Sequence, residues 1–491
     1  MRNILKITIV FTLLLTIGCS KEFLDPVPQT SLSDLSVYDT KDRVVAQVNG
    51  MYAFMKSGAF LGGRFFVYND VRAENFIPKS SNLVTNYATW NHSVVSSTSE
   101  VQNFWGAVYA AVNAINVFLD GLKTAWDGGK LTGKITQTEY DQFRSEGLTL
   151  RAICYFDLLQ LYSKPYNMGV GNAGVPLRLK GLKSAEGNDI ARNLVGEVYT
   201  QILADLNEAE PLAILTYTGT DADLLNTTRI HRNTIIALKT RVLLHMGNWA
   251  GVVTESAKIV PASAPFVAGS GVANALTTPY TTLWTNYTTK ESIFSMPFTT
   301  TNGPGTQNGL PHYYSSPSSE SYYLNTSAGF AYALMDATDV RKSSLILSGG
   351  NYFLSKFPDL TTLLNYAPVI RYAEVLLNRA EALVKAGGSV TQEAVNLLNA
   401  VRTRSFATGA YTLGSFASTN AFNNAVLLER NMEFLGEGIR NMDLMRLALS
   451  IPAKNGGSMG SVSAIDPASP SYIWPIPANE MAFNKLMTPN K

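Results

Sequence analysis

The 491-residue chain has a formal charge of +2 and is 46% hydrophobic and 15% charged. That balance excludes a disordered chain and one embedded in a bilayer. Lys and Arg are scattered, with no basic run, so the chain lacks the electrostatic footprint of a nucleic-acid binder.

The N-terminus carries a basic start at Arg2 and Lys6. An apolar run, Ile7 to Ile17, follows, then Gly18 and Cys19. The run is too short to span a bilayer and reads as a secretory signal over residues 1–18. It resembles the bacterial lipobox, with Cys19 as the lipidated first residue of the mature protein. Thr16 replaces the usual Leu three places before the Cys, and Leu15 stands one place further back. The mature chain is thus expected to be anchored to a membrane and not to span it. The one other cysteine, Cys154, lies in an apolar helical stretch and reads as a small buried hydrophobe.

Residues 19–40 contain Pro26 and Pro28 among Ser and Asp, as an extended tether does. From about residue 41 the pattern is helical. Val44, Val48, Met51, Tyr52 and Met55 recur at three- and four-residue spacing. Further helices are predicted over 100–122, 139–162, 191–210, 233–246 and 249–259. From about 261 to 368 the periodicity fades into Thr, Ser, Asn, Gly and Tyr, with short strand-like runs such as Ser292–Pro297. A long irregular segment of this kind is usually functional. Helices resume at Arg371, with Tyr372, Val375, Leu376, Ala380 and Leu383 on one stripe. Glu381 and Lys385 pair at i, i+4 on the side the stripe leaves exposed. Gly387 and Gly388 stop this helix, and Ser389 with Gln392 suggests a capping box for the next, over 391–404. Helix, two-glycine turn, helix is how tetratricopeptide-type pairs are built. The predicted fold is mostly α: degenerate helical pairs over about 41–260 and 369–450, around an irregular region over 261–368, in a single domain spanning 41–491.

Catalytic and metal motifs fail on context. Gly169-Val170-Gly171-Asn172-Ala173-Gly174 matches the dinucleotide fingerprint by letter, but it follows a helix and leads into extended Val175-Pro176-Leu177. Gly456-Gly457-Ser458-Met459-Gly460 matches a nucleophile elbow, but no His follows Ser458. His92, His231, His245 and His312 lack metal-ligand spacing. Glu429, Arg430, Glu433, Glu437, Arg440, Asp443 and Arg446 suggest paired carboxylates. Arg430, Glu433, Glu437 and Arg440 share a face if one helix runs through Gly436, which predicts an ion-pair network, because adjacent arginines lower the pKa that a catalytic acid needs raised. No catalytic residue, metal or cofactor is expected.

Five stretches carry a family resemblance. They are Arg151-Ala152-Ile153-Cys154-Tyr155-Phe156-Asp157-Leu158 with Gly174-Val175-Pro176-Leu177, the run Arg371 to Ala382, and Asn399 with Val401, Arg402 and Arg404. Glu429-Arg430 through Arg446 and Pro475-Ile476-Pro477 with Glu480 and Asn484 complete the set. In this order they resemble the SusD/RagB family over essentially the whole chain, with Asn441 where an aromatic or His is common. The resemblance implies a lipid-anchored protein exposed on the outer membrane of Bacteroidetes-type bacteria. It implies a tetratricopeptide-like scaffold and no catalysis. It also implies capture of a nutrient for a SusC-like, TonB-dependent transporter: a glycan or, as in the RagB branch, a peptide.

Sugar rings need aromatic faces beside polar groups that bond hydroxyls. Two stretches outside the predicted helices offer both: Asn69-Asp70 with Tyr87, Trp90 and Asn91, and Tyr313-Tyr314 with Tyr322-Tyr323. The expected ligand-binding residues are Asp70, Tyr87, Trp90, Asn91, Tyr313, Tyr314 and Tyr322. In the family an aromatic loop ahead of the second helix often helps form the site, which singles out Trp90 as an exposed stacking platform. Trp105 repeats with Val108, Ala111 and Val112 and reads as core.

Overall fold

Thr136 starts the helix around which the other helices assemble. Its hydroxyl accepts from the Glu139 N–H while the Glu139 carboxylate reaches back to the Thr136 N–H, a reciprocal cap that satisfies two helix-end donors. The computed structural model describes residues 36–184, 186–318 and 321–490. The signal segment, Cys19 and most of the tether lie outside them.

Helix α1 (Lys41–Met55), α2 (Arg64–Val71), α3 (Ser99–Asp127) and α4 (Gln137–Tyr162) come first. They are followed by α5 (Val195–Leu212), α6 (Ala222–Thr228), α7 (Arg232–His245) and α8 (Trp249–Ser256). From Gln142 onward every residue of α4 except Arg144 is buried, because α1, α3, α5 and α7 all pack against it. Helix α3 buries Val101, Phe104, Trp105, Val108, Val112, Ile115 and Leu119, the one-stripe pattern of an amphipathic helix. Gly147 allows α3 and α4 to approach closely, since a Cβ there would lie 2.7 Å from a Leu119 methyl. After the irregular segment come α9 (Tyr372–Gly387), α10 (Gln392–Ser405), α11 (Thr419–Glu433) and α12 (Arg440–Arg446). Helix α9 packs on α7, α8, α10 and α11, so the two helical stretches join one apolar core running from Tyr38 to Met487.

The helices stack as antiparallel-type pairs with few strands, as expected. Their ends differ in places. Thr391 caps α10 by accepting from Ala394 N, while the Gln392 side chain bonds Asn396, so the Ser389 box does not form. Glu381 does bond Lys385 at 2.6 Å, but it is buried and its carboxylate also takes both Nη atoms of Arg446. No helix among the described residues is long and apolar enough to cross a membrane.

Between α8 and α9 lie one-turn helices and short strands. Among the described residues the strands form two-stranded antiparallel ribbons. β1 (Phe76–Pro78) pairs with β3 (Tyr322–Leu324), β2 (Ser292–Met296) with β6 (Ala367–Arg371), and β4 (Ile346–Ser348) with β5 (Asn351–Phe353). β6 runs directly into α9, with Arg371 as its N-cap residue. Near the C-terminus β7 (Lys454–Asn455) and β8 (Ser461–Val462) flank the Gly456–Gly460 turn. That turn is a hairpin tip and not a strand-to-helix elbow.

Candidate ligand-binding site

The clustered carboxylates are structural. Helix α11 ends at Glu433, and Gly436 and Gly438 adopt φ of +82° and +72° before α12 starts. Only glycine takes this path freely, and a Cβ on Gly438 would lie 2.8 Å from the Phe66 Cα. The face predicted to run through Gly436 therefore breaks, and Arg440 turns away from Glu433 to pair with Glu74 at 2.6 Å. Glu433 instead accepts from Arg371 at 3.1 Å, Arg341 at 3.2 Å and Arg404. Burial pushes the Glu433 carboxyl up, but Arg404, Arg371 and Arg341 outweigh it and hold it down at about 2. Five cations (Arg341, Lys356, Arg371, Arg402, Arg404) face five carboxylates (Asp339, Glu291, Glu429, Glu433, Glu437) in this network. It ties β6, α10 and α11 to the irregular segment.

The two stretches singled out as ligand-binding do meet in space, but mostly inside the protein. The β1–β3 pairing aligns Pro78 with Tyr322 and Phe76 with Leu324. Asp70 is buried and accepts from the Tyr314 hydroxyl at 2.9 Å and from Gly438 N at 3.1 Å. Burial raises its carboxyl to about 8. Neighbouring Asn69 accepts from Asn441 at 3.1 Å, so Asn69 fastens α2 to α12 while Asp70 fastens it to the turn before α12. Tyr313 donates to Gln307 O and Tyr322 to Thr85 O, each at 2.7 Å, with their rings enclosed. As placed, Asp70, Tyr313, Tyr314 and Tyr322 offer a ligand no surface.

Trp90 is also a correction. It ends a one-turn helix, Tyr87–Trp90, and is 0% exposed. Its indole N–H donates to Phe76 O at 2.8 Å, the Lys454 ammonium lies 5.2 Å from the ring centre, and Gly456 leaves room for the ring edge. Its polar neighbours gave it an exposed look, but Asn86 and Thr89 are themselves buried, with Asn86 Oδ1 accepting from Arg64 and the Thr89 hydroxyl donating to Glu100.

Tyr87 and Asn91 remain half-buried. Tyr87 stacks on Trp90 with centroids 5.7 Å apart. Tyr323 points to the opposite side of β3 from Tyr322 and Leu324, as strand alternation requires, and is also half-buried. Sequence reasoning passed over Tyr332 and Tyr352, a half-buried pair with ring centroids 4.7 Å apart. Tyr323 meets Phe353 of β5 edge-on, with centroids 6.4 Å apart, and Tyr287 stacks on Tyr366 at 5.2 Å, so the irregular segment carries several half-buried rings.

On the other side of the Tyr87–Trp90 turn lies a cavity of about 400 Å³, lined by Arg72, Thr89, His92 and Val94–Ser96 from one part of the chain and by residues of 470–490 from the other. Arg72 is 2% exposed and its Nη2 donates to Ser471 O and Tyr472 O at 3.3 and 3.0 Å. Its Nε and Nη1, and Nδ1 of His92, have no hydrogen-bond partner among the described residues. Burial lowers Arg72 to about 10, and burial together with Lys454 and Arg72 lowers His92 to about 3. His92 has φ of +61°, uncommon away from glycine and often found at functional positions. No signal in the sequence singled out Arg72, which stands between Asp70 and Glu74. Among the described residues no group of three or more His, Cys, Asp or Glu is placed to hold a metal.

Two family profiles match this chain. One, described as the SusD family, covers residues 280–491; the other, described as starch-binding and associating with the outer membrane, covers residues 22–234. SusD-like protein P2 of Formosa agariphila is 23% identical, covering 99% of this chain and 98% of its own length. Among solved structures, a SusD superfamily protein from Bacteroides fragilis is 31% identical with a TM-score of 0.80, over 92% of this chain and 100% of that one. A laminarin-binding SusD-like protein superposes with a TM-score of 0.70 at 22% identity, over 92% of this chain and 99% of that one.

Proposed function

The chain belongs to the SusD family, and from that premise we propose that it captures a nutrient glycan at the cell surface and passes it to a SusC-like, TonB-dependent transporter in the outer membrane. The match of the N-terminal half to a starch-binding, outer-membrane-associated family carries this reading. Cys19 supplies the anchor, and the protein itself performs no chemistry.

Capture needs surfaces, not reactive groups. Half-buried Tyr87, Tyr323, Tyr332 and Tyr352 present ring faces for the C–H faces of sugars. Asn91 and the cavity beside it supply groups for hydroxyls. The rigid helical stack behind them keeps the rings in place, so little ordering entropy is lost on binding. The carboxylates clustered around Glu433 are committed to arginines, and Glu433 is held ionised, so that cluster does not supply the protonated acid a hydrolase needs.

The test is affinity electrophoresis of the soluble form, lacking residues 1–19, through gels containing individual polysaccharides, laminarin and starch included, beside a peptide library. Retardation by one glycan class and no selected peptide is expected. Selection of peptides with no glycan retained would replace this reading with peptide capture.

A further inference from the structure

Two clusters of buried charge contrast with each other. Around Glu433 five cations face five carboxylates. Around Arg72 the charges do not cancel. Arg72 and Lys454, 2% and 3% exposed, donate to backbone carbonyls and are ion-paired to no carboxylate among the described residues. Glu74, the acid acting on Lys454, is itself held by Arg440 at 2.6 Å. Two Arg72 nitrogens lack an acceptor, and Arg72 forms part of the wall of the 400 Å³ cavity. Leaving a buried guanidinium uncompensated costs several kcal/mol. An arginine kept in that state beside a ligand-sized cavity is set up for an anionic partner.

We propose that this cavity is a subsite for the carboxylate of a uronic acid residue in the captured glycan, with Arg72 as its charge partner and the determinant of acidic over neutral sugar. The inference rests on the glycan reading and narrows it. The bidentate edges of a guanidinium are Nε with Nη2 and Nη1 with Nη2, so a carboxylate engages one free nitrogen together with Nη2, whose bonds to Ser471 O and Tyr472 O it replaces, a geometry that lysine cannot supply. Nε and Nη1 are covered by neighbouring atoms, so the end of the side chain rotates toward the cavity as the ligand enters. His92 donates through Nε2 to Arg72 O at 2.9 Å, which leaves Nδ1 as an acceptor for a sugar hydroxyl. Ile473, Pro475 and Ile476 supply apolar wall for the ring. A neutral sugar in the same place leaves the guanidinium desolvated and unpaired.

Calorimetry separates the possibilities with oligo-uronates from pectin and alginate, each beside its methyl ester. The same chain then differs only in charge. The wild-type protein is expected to bind at least one acid about ten-fold or more tightly than its ester. Arg72→Met should weaken acid binding by about ten-fold and abolish the preference, while Arg72→Lys keeps part of both. A melting curve checks that each variant folds; if Arg72→Met does not, the wild-type comparison and Arg72→Lys still decide. Equal binding of acid and ester, or an unchanged preference in folded Arg72→Met, overturns the proposal. If only neutral glycans bind, this inference falls and glycan capture stands. If no glycan of either kind binds, both fall. If an acetylated tripeptide with a free C-terminal carboxylate is bound in preference to its amide and to every uronate, the subsite belongs to a peptide and the proposal is overturned.

Discussion

Replacing Glu433 by Gln keeps the shape of the side chain and removes one charge from the centre of the buried network. Three arginines lose part of their compensation: Arg371 at 3.1 Å, Arg341 at 3.2 Å and Arg404. The carboxyl is held at about 2 in the folded protein, against about 4.3 in an unfolded chain. At roughly 1.36 kcal/mol per unit that difference corresponds to about 3 kcal/mol of stability at neutral pH. Removing one partner of a buried pair typically costs ~3–5 kcal/mol, so the two routes agree. With an unfolding entropy of roughly 2.1 cal/mol/K per residue, a chain of this length loses about 1 °C per kcal/mol, or ~3–5 °C in all. The sign with pH follows from a depressed carboxyl. Its contribution is fully present above the unfolded value and is lost as pH falls through the folded one. Urea unfolding of wild type and Glu433→Gln should therefore show the full gap at pH 6, narrowing as pH approaches about 2. A variant as stable as wild type at pH 6, or a gap that does not change between pH 6 and pH 3, refutes the reasoning.

Trp90→Ala should cost ~3–5 kcal/mol in denaturant unfolding because it empties a fully buried site and strands the Phe76 carbonyl; a midpoint equal to wild type would contradict the buried placement. Tyr323→Ala should weaken glycan binding by about five-fold, from the loss of ~1 kcal/mol of ring contact, with little change in melting temperature. Unchanged affinity in calorimetry would move the binding surface off β3. Cys19→Ala should shift the protein from membrane to soluble fractions, since acyl chains supply ~0.8 kcal/mol per CH₂ of anchoring; continued sedimentation with membranes would rule out the anchor.

Helices that face water on one side were legible. Val101, Phe104, Trp105, Val108, Val112 and Ile115 place α3 by spacing alone, and the structure extends it only to Ser99 and Asp127. Helix α2 was not legible, because Phe65 to Val71 are all buried and leave no polar face to mark a period. The break after Glu433 was missed because charge spacing favoured a continuous helix, while the backbone there is set by tertiary contacts of Gly436 and Gly438 with Leu354 and Phe66.

The candidate site was legible in part. The stretch holding Tyr87, Trp90 and Asn91 was singled out, but the side chains of it that line the cavity are those of Thr89 and His92. Which of its side chains point outward was not readable. Trp90 is enclosed by Lys454 and Gly456, which lie far along the chain. Arg72 gained importance only when the fold placed Ser471 and Tyr472 over it.

The central claim is that the protein binds glycan without altering it. The most direct measurement is a calorimetric titration of the soluble form with the best-retained oligosaccharide, followed by mass analysis of the recovered sugar after prolonged incubation. Saturable binding near one site per chain with the oligosaccharide returned intact is predicted. Cleaved sugar, or no saturation with any glycan that the gels select, would contradict the account.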